Sequence, residues 1–455
     1  MALTILTLCM ILVFILSLAT KKLSVFTALT LVPLAFGLIA VFMTGGQLTD
    51  IFMWIKNGVF YSVNAESGKV SMGVISPAIL ILFAVLYFDI MLGVGLFDPL
   101  CEFFIKRAKG DPLKVALATV LVTMIVSING DTTTTILIAL AAFLGLYKQM
   151  NMKPIYLAVI VVTPIGIFNQ LPWGGPTIAA ATALDVDISA LFTRLLPGMV
   201  LAACYAVFMA YFIGKKERKR LQFDPKAPKE ISDEMMQSML DAIRQNEPEL
   251  KRPKLFWFNL LFTLSLVAML ILDVAHGGVL FMLGSAIALL VNYKTVKLSN
   301  ERLNDLAADA LAPALATLAA GVFSGVLMGS GMAASLAGSI ASLIPQSIGA
   351  HMLPVYAAAA APAICYLPQD AFYFGIAPVV CGVMAQFGIT AEQTAVASMI
   401  GQSFRLISPV IPALYLLCDA VKEEFIDFQK EYIKHAWPIL PIYLVTAIVL
   451  GFIPI

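Results

Sequence analysis

Eight apolar runs of spanning length, near 2–20, 23–44, 70–96, 189–214, 255–273, 276–293, 305–330 and 436–453, dominate this 455-residue chain. About 20 apolar residues cross a hydrocarbon core as a helix. Inside lipid the backbone must satisfy its own hydrogen bonds, so runs of this kind fold as helices. Charged residues make up only 13% of the chain and the mean hydropathy is +0.92, whereas a soluble domain is about one-quarter charged. The expectation is an all-α integral membrane protein. Residues 2–20 lack the basic start and small-residue cleavage pattern of a signal peptide and read as a first span. Six scattered cysteines (Cys9, Cys101, Cys204, Cys365, Cys381, Cys418) lie mostly within apolar segments. They read as small buried hydrophobes, not as a disulfide framework or a zinc site.

Four polar breaks interrupt further apolar segments. Asn129-Gly130-Asp131-Thr132-Thr133-Thr134-Thr135 lies within 112–147, and Asn169-Gln170-Leu171-Pro172-Trp173-Gly174-Gly175-Pro176 lies within 154–184. In the second half Leu367-Pro368-Gln369-Asp370 lies within 353–388, and Ser403-Phe404-Arg405-Leu406-Ile407-Ser408-Pro409 within 391–418. Unwound backbone and ionisable groups at bilayer depth are costly unless they line a cavity. Such pairs in corresponding places point to a ligand site between them. The segments 112–147 and 353–388 read as re-entrant hairpins, and 154–184 and 391–418 as broken helices.

Charge supports this layout. With the central segment 215–254 cytoplasmic, 25 of the 29 Lys and Arg residues fall on that side. Lys56, Lys69 and Arg194 fall outside, and Arg405 lies within the membrane. The positive-inside rule is met only if both hairpins turn back. The expectation is ten spans plus two hairpins, with both termini outside. Gly93-Val94-Gly95-Leu96 precedes the first hairpin as Gly329-Ser330-Gly331-Met332 precedes the second. Residues 1–214 and 255–455 therefore read as inverted repeats, each of five transmembrane helices plus one re-entrant hairpin. The stretch 215–254 reads as a solvated cytoplasmic linker, with a possible surface helix at 232–246. Scaffold helices are expected within 2–44, 255–293 and the last span, and a mobile unit within about 70–214 and 305–420.

At the first hairpin tip, Asn129, Gly130, Asp131, Thr132 and Thr133 offer oxygens and a tight turn. A broken helix exposes backbone N–H groups at one end, which suit substrate carboxylates, and carbonyls at the other, which suit a cation. The alternative is that Asp131 merely caps its own helix. Asn169 and Gln170 should face that tip, with Gly174 and Gly175 holding the break open and Trp173 bracing it. In the second half Gln369 and Asp370 mirror the first tip, Tyr373 follows one turn later, and Ser408 adds a hydroxyl. Arg405 must pair with something at mid-membrane, and its planar fork matches a carboxylate; an ion pair with Asp131 or Asp370 is the alternative. Asp131, Asp370 and Asp89 are candidates for proton or cation coupling. The three histidines (His276, His351, His435) show no metal-ligand spacing, no phosphate-binding Gly-Lys motif suggests ATP-driven transport, and neither a resident cofactor nor a nucleic-acid partner is expected.

The sequence resembles the citrate–metal:proton symporter family (CitMHS), within a wider superfamily that includes divalent anion:sodium symporters. The resemblance rests on Gly95-Leu96-Phe97-Asp98-Pro99-Leu100, Lys109-Gly110-Asp111-Pro112, Gly130-Asp131, Leu171-Pro172-Trp173-Gly174-Gly175-Pro176-Thr177, Asp370-Ala371-Phe372-Tyr373-Phe374-Gly375, Gly401-Gln402 and Leu406-Ile407-Ser408-Pro409. It runs from about 70 to 440. It implies an elevator-type transporter of citrate or metal-citrate, usually a homodimer, in a bacterial inner or plasma membrane. It places Asp131, Thr132–Thr134, Asn169, Asp370 and Arg405 around the substrate. Asn129 stands where the family pattern carries an acid, and Arg405 where it carries a histidine. Both changes favour a free di- or tricarboxylate over a metal complex. Protons are the coupling ion the resemblance favours; sodium remains the alternative, with a co-transported divalent metal possible. An intramembrane aspartyl protease would need Tyr-Asp and Gly-x-Gly-Asp, but Phe88 separates Tyr87 from Asp89 and Asn129 replaces the first glycine. A channel fits paired tips less well than alternating access does.

Overall fold

The structure is a computed structural model that describes residues 1–63, 70–108, 110–224, 233–243, 249–349 and 351–454; Lys69 and Lys109 of the charge count and motifs lie outside them. Among these residues nine helices are long and apolar enough to cross a membrane. The protein is an all-α membrane protein. Most expected spans fall where the hydropathy puts them, including Ala2–Ala19, Val25–Thr44, Ile75–Gly93, Phe256–Ile271 and Gly277–Asn292. Two helices outrun their apolar runs: Ile188–Arg220 and Val296–Gly329 continue by about two turns through charged sequence. The last expected span is the C-terminal part of Phe425–Val449, which is broken at Trp437-Pro438.

Both proposed hairpins are two-armed. Pro112–Val126 opens on Asp111, which accepts from the Leu113 N–H at 3.1 Å, with Pro112 in the first turn, where the missing donor costs nothing. A short 3-10 turn, Ser127–Asn129, then leads through left-handed Gly130 (φ +84°) into Thr132–Gln149. The second hairpin runs from Met352–Tyr366 through Leu367–Asp370 into a π-helical stretch, Ala371–Ile376, and Ala377–Ala385. The broken helices divide as Pro154–Phe168 and Gly175–Leu184, and as Ala391–Ile400, the 3-10 stretch Gly401–Ile407 and Pro412–Val421.

Left-handed backbone ends or joins helices in both halves among the described residues, at Lys21, Gly95, Asn151, Asp185 and Gln222 in the first and at Asp273, Gly331, Gly388, Lys422 and Gly451 in the second, with Gly45, Gly110 and Gly130 besides.

Packing separates two groups of helices. Val296–Gly329 lies along Val25–Thr44, Leu48–Val59 and Ile75–Gly93, and Ile75–Gly93 also packs on Gly277–Asn292. The first-half hairpin packs on Ile188–Arg220 and Pro154–Phe168, and Met352–Tyr366 packs on Ala391–Ile400 and Gly401–Ile407. The long helices at 75–93 and 296–329 thus sit with the expected scaffold, although the sequence reading placed them with the mobile unit. Elements that went unread in the sequence include the helices Leu48–Val59, Asp98–Ala108, Met332–Ala341 and Phe425–Ala436, and the strands Tyr61–Val63 and Val70–Met72, which pair antiparallel. At Gly58 an added Cβ would stand 2.1 Å from the Gly321 carbonyl oxygen, a backbone approach typical of small-residue helix contacts in membranes.

The linker is more than a solvated connector. Its helix Asp233–Ile243 docks on Thr132–Gln149 and Asp98–Ala108, burying Met239 and Leu240. Residues 232 and 244–246 of the expected surface helix lie outside the described residues. The charged tail of Ile188–Arg220 clamps the start of the first hairpin and the start of the broken helix that follows it. Arg218 donates through Nε and Nη2 to the Asp111 carboxylate (3.1 and 2.5 Å), and fully buried Glu217 accepts from the Lys153 N–H at 2.9 Å.

Candidate functional site

The four polar breaks meet. Trp173, in the first broken helix, donates from its indole Nε1 to the Ile128 carbonyl at the first tip (2.8 Å) and stacks on Phe88, with ring centroids 4.4 Å apart. Gly130 admits that indole: an added Cβ would lie 3.3 Å from Trp173 Cδ1. Gly175, two residues beyond Trp173, faces the second tip, where an added Cβ would lie 3.6 Å from Gln369 Nε2. Gln369 in turn accepts a hydrogen bond from Arg405 Nη1 of the second broken helix. Finally, a Cβ on Gly166 would stand 2.6 Å from the Ser403 carbonyl oxygen, so the two broken helices touch directly.

The breaks are held open by specific groups. Gly174 lies so close to the Asn169 carbonyl that an added Cβ would come within 2.1 Å of it. Within 401–407 the freed carbonyls find side-chain donors: Tyr432 OH bonds Ser403 O (2.9 Å), Cys365 Sγ bonds Phe404 O (3.2 Å) and Gln429 Nε2 bonds Ile407 O (2.7 Å). Unwound backbone at this depth requires such partners.

Where these segments converge, several buried polar atoms have no partner among the described residues: Asn129 Nδ2, both amide atoms of Gln170, Gln402 Oε1, Ser403 Oγ and Arg405 Nε. Gln170 and Ser403 are fully buried, and Asn129 and Gln402 nearly so. An unpaired buried polar group costs roughly 1–3 kcal/mol, so a cluster of them marks a place prepared for a polar guest. The set holds mostly donors, and the half-helix Gly175–Leu184 adds a start without a side-chain cap.

Several sequence-derived expectations need correction. Asp131 caps its own helix, accepting from the N–H groups of Thr133 (3.2 Å) and Thr134 (2.7 Å). Those donors are already taken, and the carboxylate is exposed. Thr132 and Thr133 lie in that first turn. Tyr373 points into the core: its hydroxyl donates to Met399 Sδ (3.1 Å) and accepts from Gln402 Nε2 (2.6 Å). Ser408 is buried and accepts from the Val410 N–H (3.2 Å), which ties its oxygen into the turn. Arg405 forms no ion pair with Asp131 or Asp370 among the described residues; Gln369 is its hydrogen-bond partner and Asp370 its nearest charge influence. Asn169 ends the helix before the break, half-buried. Asp89, one turn before Gly93, is half-buried and within electrostatic reach of Asp309, Asp131 and Arg302. The sequence reading missed Arg302 and Asp309, as well as Gln402 and Ser403 as site groups. A cavity of about 950 Å³ opens at the far end of Gly175–Leu184, lined by Asp185, Asp273 and His276, and includes none of the convergent residues.

Helical hairpins and broken helices that meet around buried, unpaired polar groups define a membrane transporter. The chain belongs to the citrate transporter family: the Citrate transporter (CitMHS) model matches residues 5–401. A "Citrate transporter" of Bacillus subtilis (strain 168) is 38% identical over 447 residues, 98% of each chain. A "Mg(2+)/citrate complex secondary transporter" of the same organism is 37% identical over 443 residues, 97% of this chain and 96% of the relative. The fold is similar to that of the Alcanivorax borkumensis YdaH transporter (TM-score 0.51, 14% identity, 91% of this chain and 98% of that one). It is also similar to Neisseria gonorrhoeae MtrF (TM-score 0.55, 15% identity, 92% and 94%). The protein is thus a multi-pass membrane transporter and not an enzyme.

Proposed function

We propose that the chain is a secondary active transporter that carries citrate or a related di- or tricarboxylate together with protons. The observation that carries this reading is the hydrogen bond from Arg405 to Gln369, which joins the second broken helix to the second hairpin tip and leaves Arg405 Nε buried without a partner among the described residues. A guanidinium and amide donors recognise carboxylates, and burial makes their mutual attraction strong. Arg405 takes one carboxylate, and the uncapped start of Gly175–Leu184 takes another. Asp370 and Asp131 repel an ionised polycarboxylate, so a proton or other cation on either one relieves the repulsion. Substrate binding is thereby linked to cation binding.

Access alternates by movement of the convergent hairpins and broken helices against a scaffold. Their tight mutual contacts favour movement as one body over the opening of a single gate. The scaffold comprises the helices at 2–44, 48–59, 75–93, 256–292 and 296–329, and the two halves are inverted repeats that each supply one hairpin. A homodimer in the cell membrane follows from the family resemblance.

A free polycarboxylate is preferred over a tight metal complex, because the convergent groups are donors and amides. The second reading, a metal–citrate complex as cargo, is favoured by the magnesium–citrate relative at 37% identity. Uptake into proteoliposomes across a matrix of pH, sodium and divalent ions tests both. Saturable citrate uptake driven by a proton gradient supports the proposal. Uptake that collapses with chelator and returns with magnesium overturns the preference for the free anion.

A further inference from the structure

Among the buried polar atoms without a partner in the described residues, Gln170 Oε1 and Gln402 Oε1 are acceptors, and Gln402 is the one on the same stretch as Arg405. Its Nε2 is committed to the Tyr373 hydroxyl at 2.6 Å, while that hydroxyl gives its own proton to Met399 Sδ at 3.1 Å. With that proton directed to the sulfur, the phenol oxygen receives from the amide nitrogen. In this arrangement Gln402 Oε1 is buried with no partner among the described residues. Gln402 is 2% exposed and Tyr373 0%, so water does not substitute freely.

Gln402 and Arg405 belong to the 3-10 stretch Gly401–Ile407. At three residues per turn, side chains three apart eclipse one another. Gln402 and Arg405 therefore leave the same side of this stretch, about 6 Å apart along its axis at ~2 Å per residue.

A carboxylate can satisfy Arg405 but not Gln402, because an ionised carboxylate has no hydrogen to give. We infer that Gln402 Oε1 accepts the hydrogen of a hydroxyl borne by the substrate carbon chain, so that the site selects hydroxypolycarboxylates over their deoxy analogues. This deepens the proposed function and rests on it. Tyr373 acts on selectivity only through Gln402, as a positioning residue. A site built to bond a hydroxyl rejects the analogue without it, because its own polar atom is then left unpaired.

The test compares citrate with propane-1,2,3-tricarboxylate, the same skeleton without its hydroxyl, in proteoliposome uptake by the full chain, with and without saturating magnesium. The wild type should favour citrate by roughly 10- to 100-fold in kcat/KM, the range set by one unpaired buried acceptor. Gln402→Met, which keeps length and removes the acceptor, should bring that ratio to within about threefold of unity on the same reasoning. Tyr373→Phe, which frees the amide to turn, should give an intermediate ratio. Equal handling of the two ligands by the wild type overturns the inference, as does a ratio unmoved in Gln402→Met. The wild-type comparison stands even where a variant does not fold. Failure of the functional reading looks different: the wild type would then take up neither ligand in either condition.

Discussion

Gln369 at the tip of one hairpin accepts a hydrogen bond from Arg405 of the neighbouring broken helix, although Asp370 is the next residue in the chain. A neutral amide partner leaves the guanidinium charge uncancelled. The rest of the fork, including buried Nε, remains available to an anion. Arg405→Gln should reduce citrate uptake by about 10- to 100-fold, the value of one charge-assisted hydrogen bond at ~1.5–3 kcal/mol. Arg405→Lys should recover only part of it, since a point charge cannot make the bidentate contact. Initial uptake rates at matched protein levels decide this; full activity in the lysine variant contradicts a fork-shaped contact.

Asp131→Asn separates capping from charge. Asparagine caps a helix about as well as aspartate; its single Oδ1 keeps an acceptor for one of the Thr133 and Thr134 N–H groups, so the tip keeps its shape. Loss of proton-driven acceleration without loss of melting temperature is the expected result, and Asp370→Asn should behave likewise. If both variants retain the wild-type pH and sodium dependence, neither aspartate couples.

Gly174→Ala has no room. The new methyl would stand 2.1 Å from the Asn169 carbonyl oxygen, so backbone must move, at more than the ~1–3 kcal/mol of ordinary overpacking. Little folded protein is expected in a fluorescence-detected size-exclusion assay. A normal yield would show that the break is not held by this contact.

Trp173→Phe keeps a ring against Phe88 while removing the hydrogen bond to Ile128 O. The expected cost is about 1 kcal/mol of stability, together with weaker citrate binding as the first tip loosens. Calorimetric binding and detergent melting curves measure the two effects separately.

Met239→Asp and Leu240→Asp should release the linker helix from the first hairpin. Each removes roughly 1.5–3 kcal/mol of apolar burial at a contact with Thr132–Gln149. Faster hydrogen exchange in that arm is the expected readout. Unchanged exchange would mean the arm holds its shape without the helix.

The main architectural signal was legible because polar residues inside apolar runs are rare and expensive. All four breaks, and Trp173 as a brace, were visible in that pattern. Other features depend on choices too fine for it. Whether Asp131 bonds its own backbone or a guest is a local competition between similar geometries. Arg405 chooses Gln369 over Asp370 through small differences in side-chain reach. Gln402 emerges only once residues 401–407 are known to form a 3-10 stretch, since that winding aligns it with Arg405. Arg302 lies where hydropathy truncates the helix Val296–Gly329, Asp309 stands just inside the apolar run at 305–330, and the linker helix is too short and mixed in charge to announce its partner.

The contact between Gly166 and the Ser403 backbone has a consequence for biogenesis. Synthesis delivers the first half alone, and Ser403 arrives roughly 240 residues after Gly166, about 10 to 50 s at common translation rates. Through that interval the side of Pro154–Phe168 that carries Gly166 lacks the Ser403 backbone that packs against it, so the first broken helix reaches its final packing only after the second has been made.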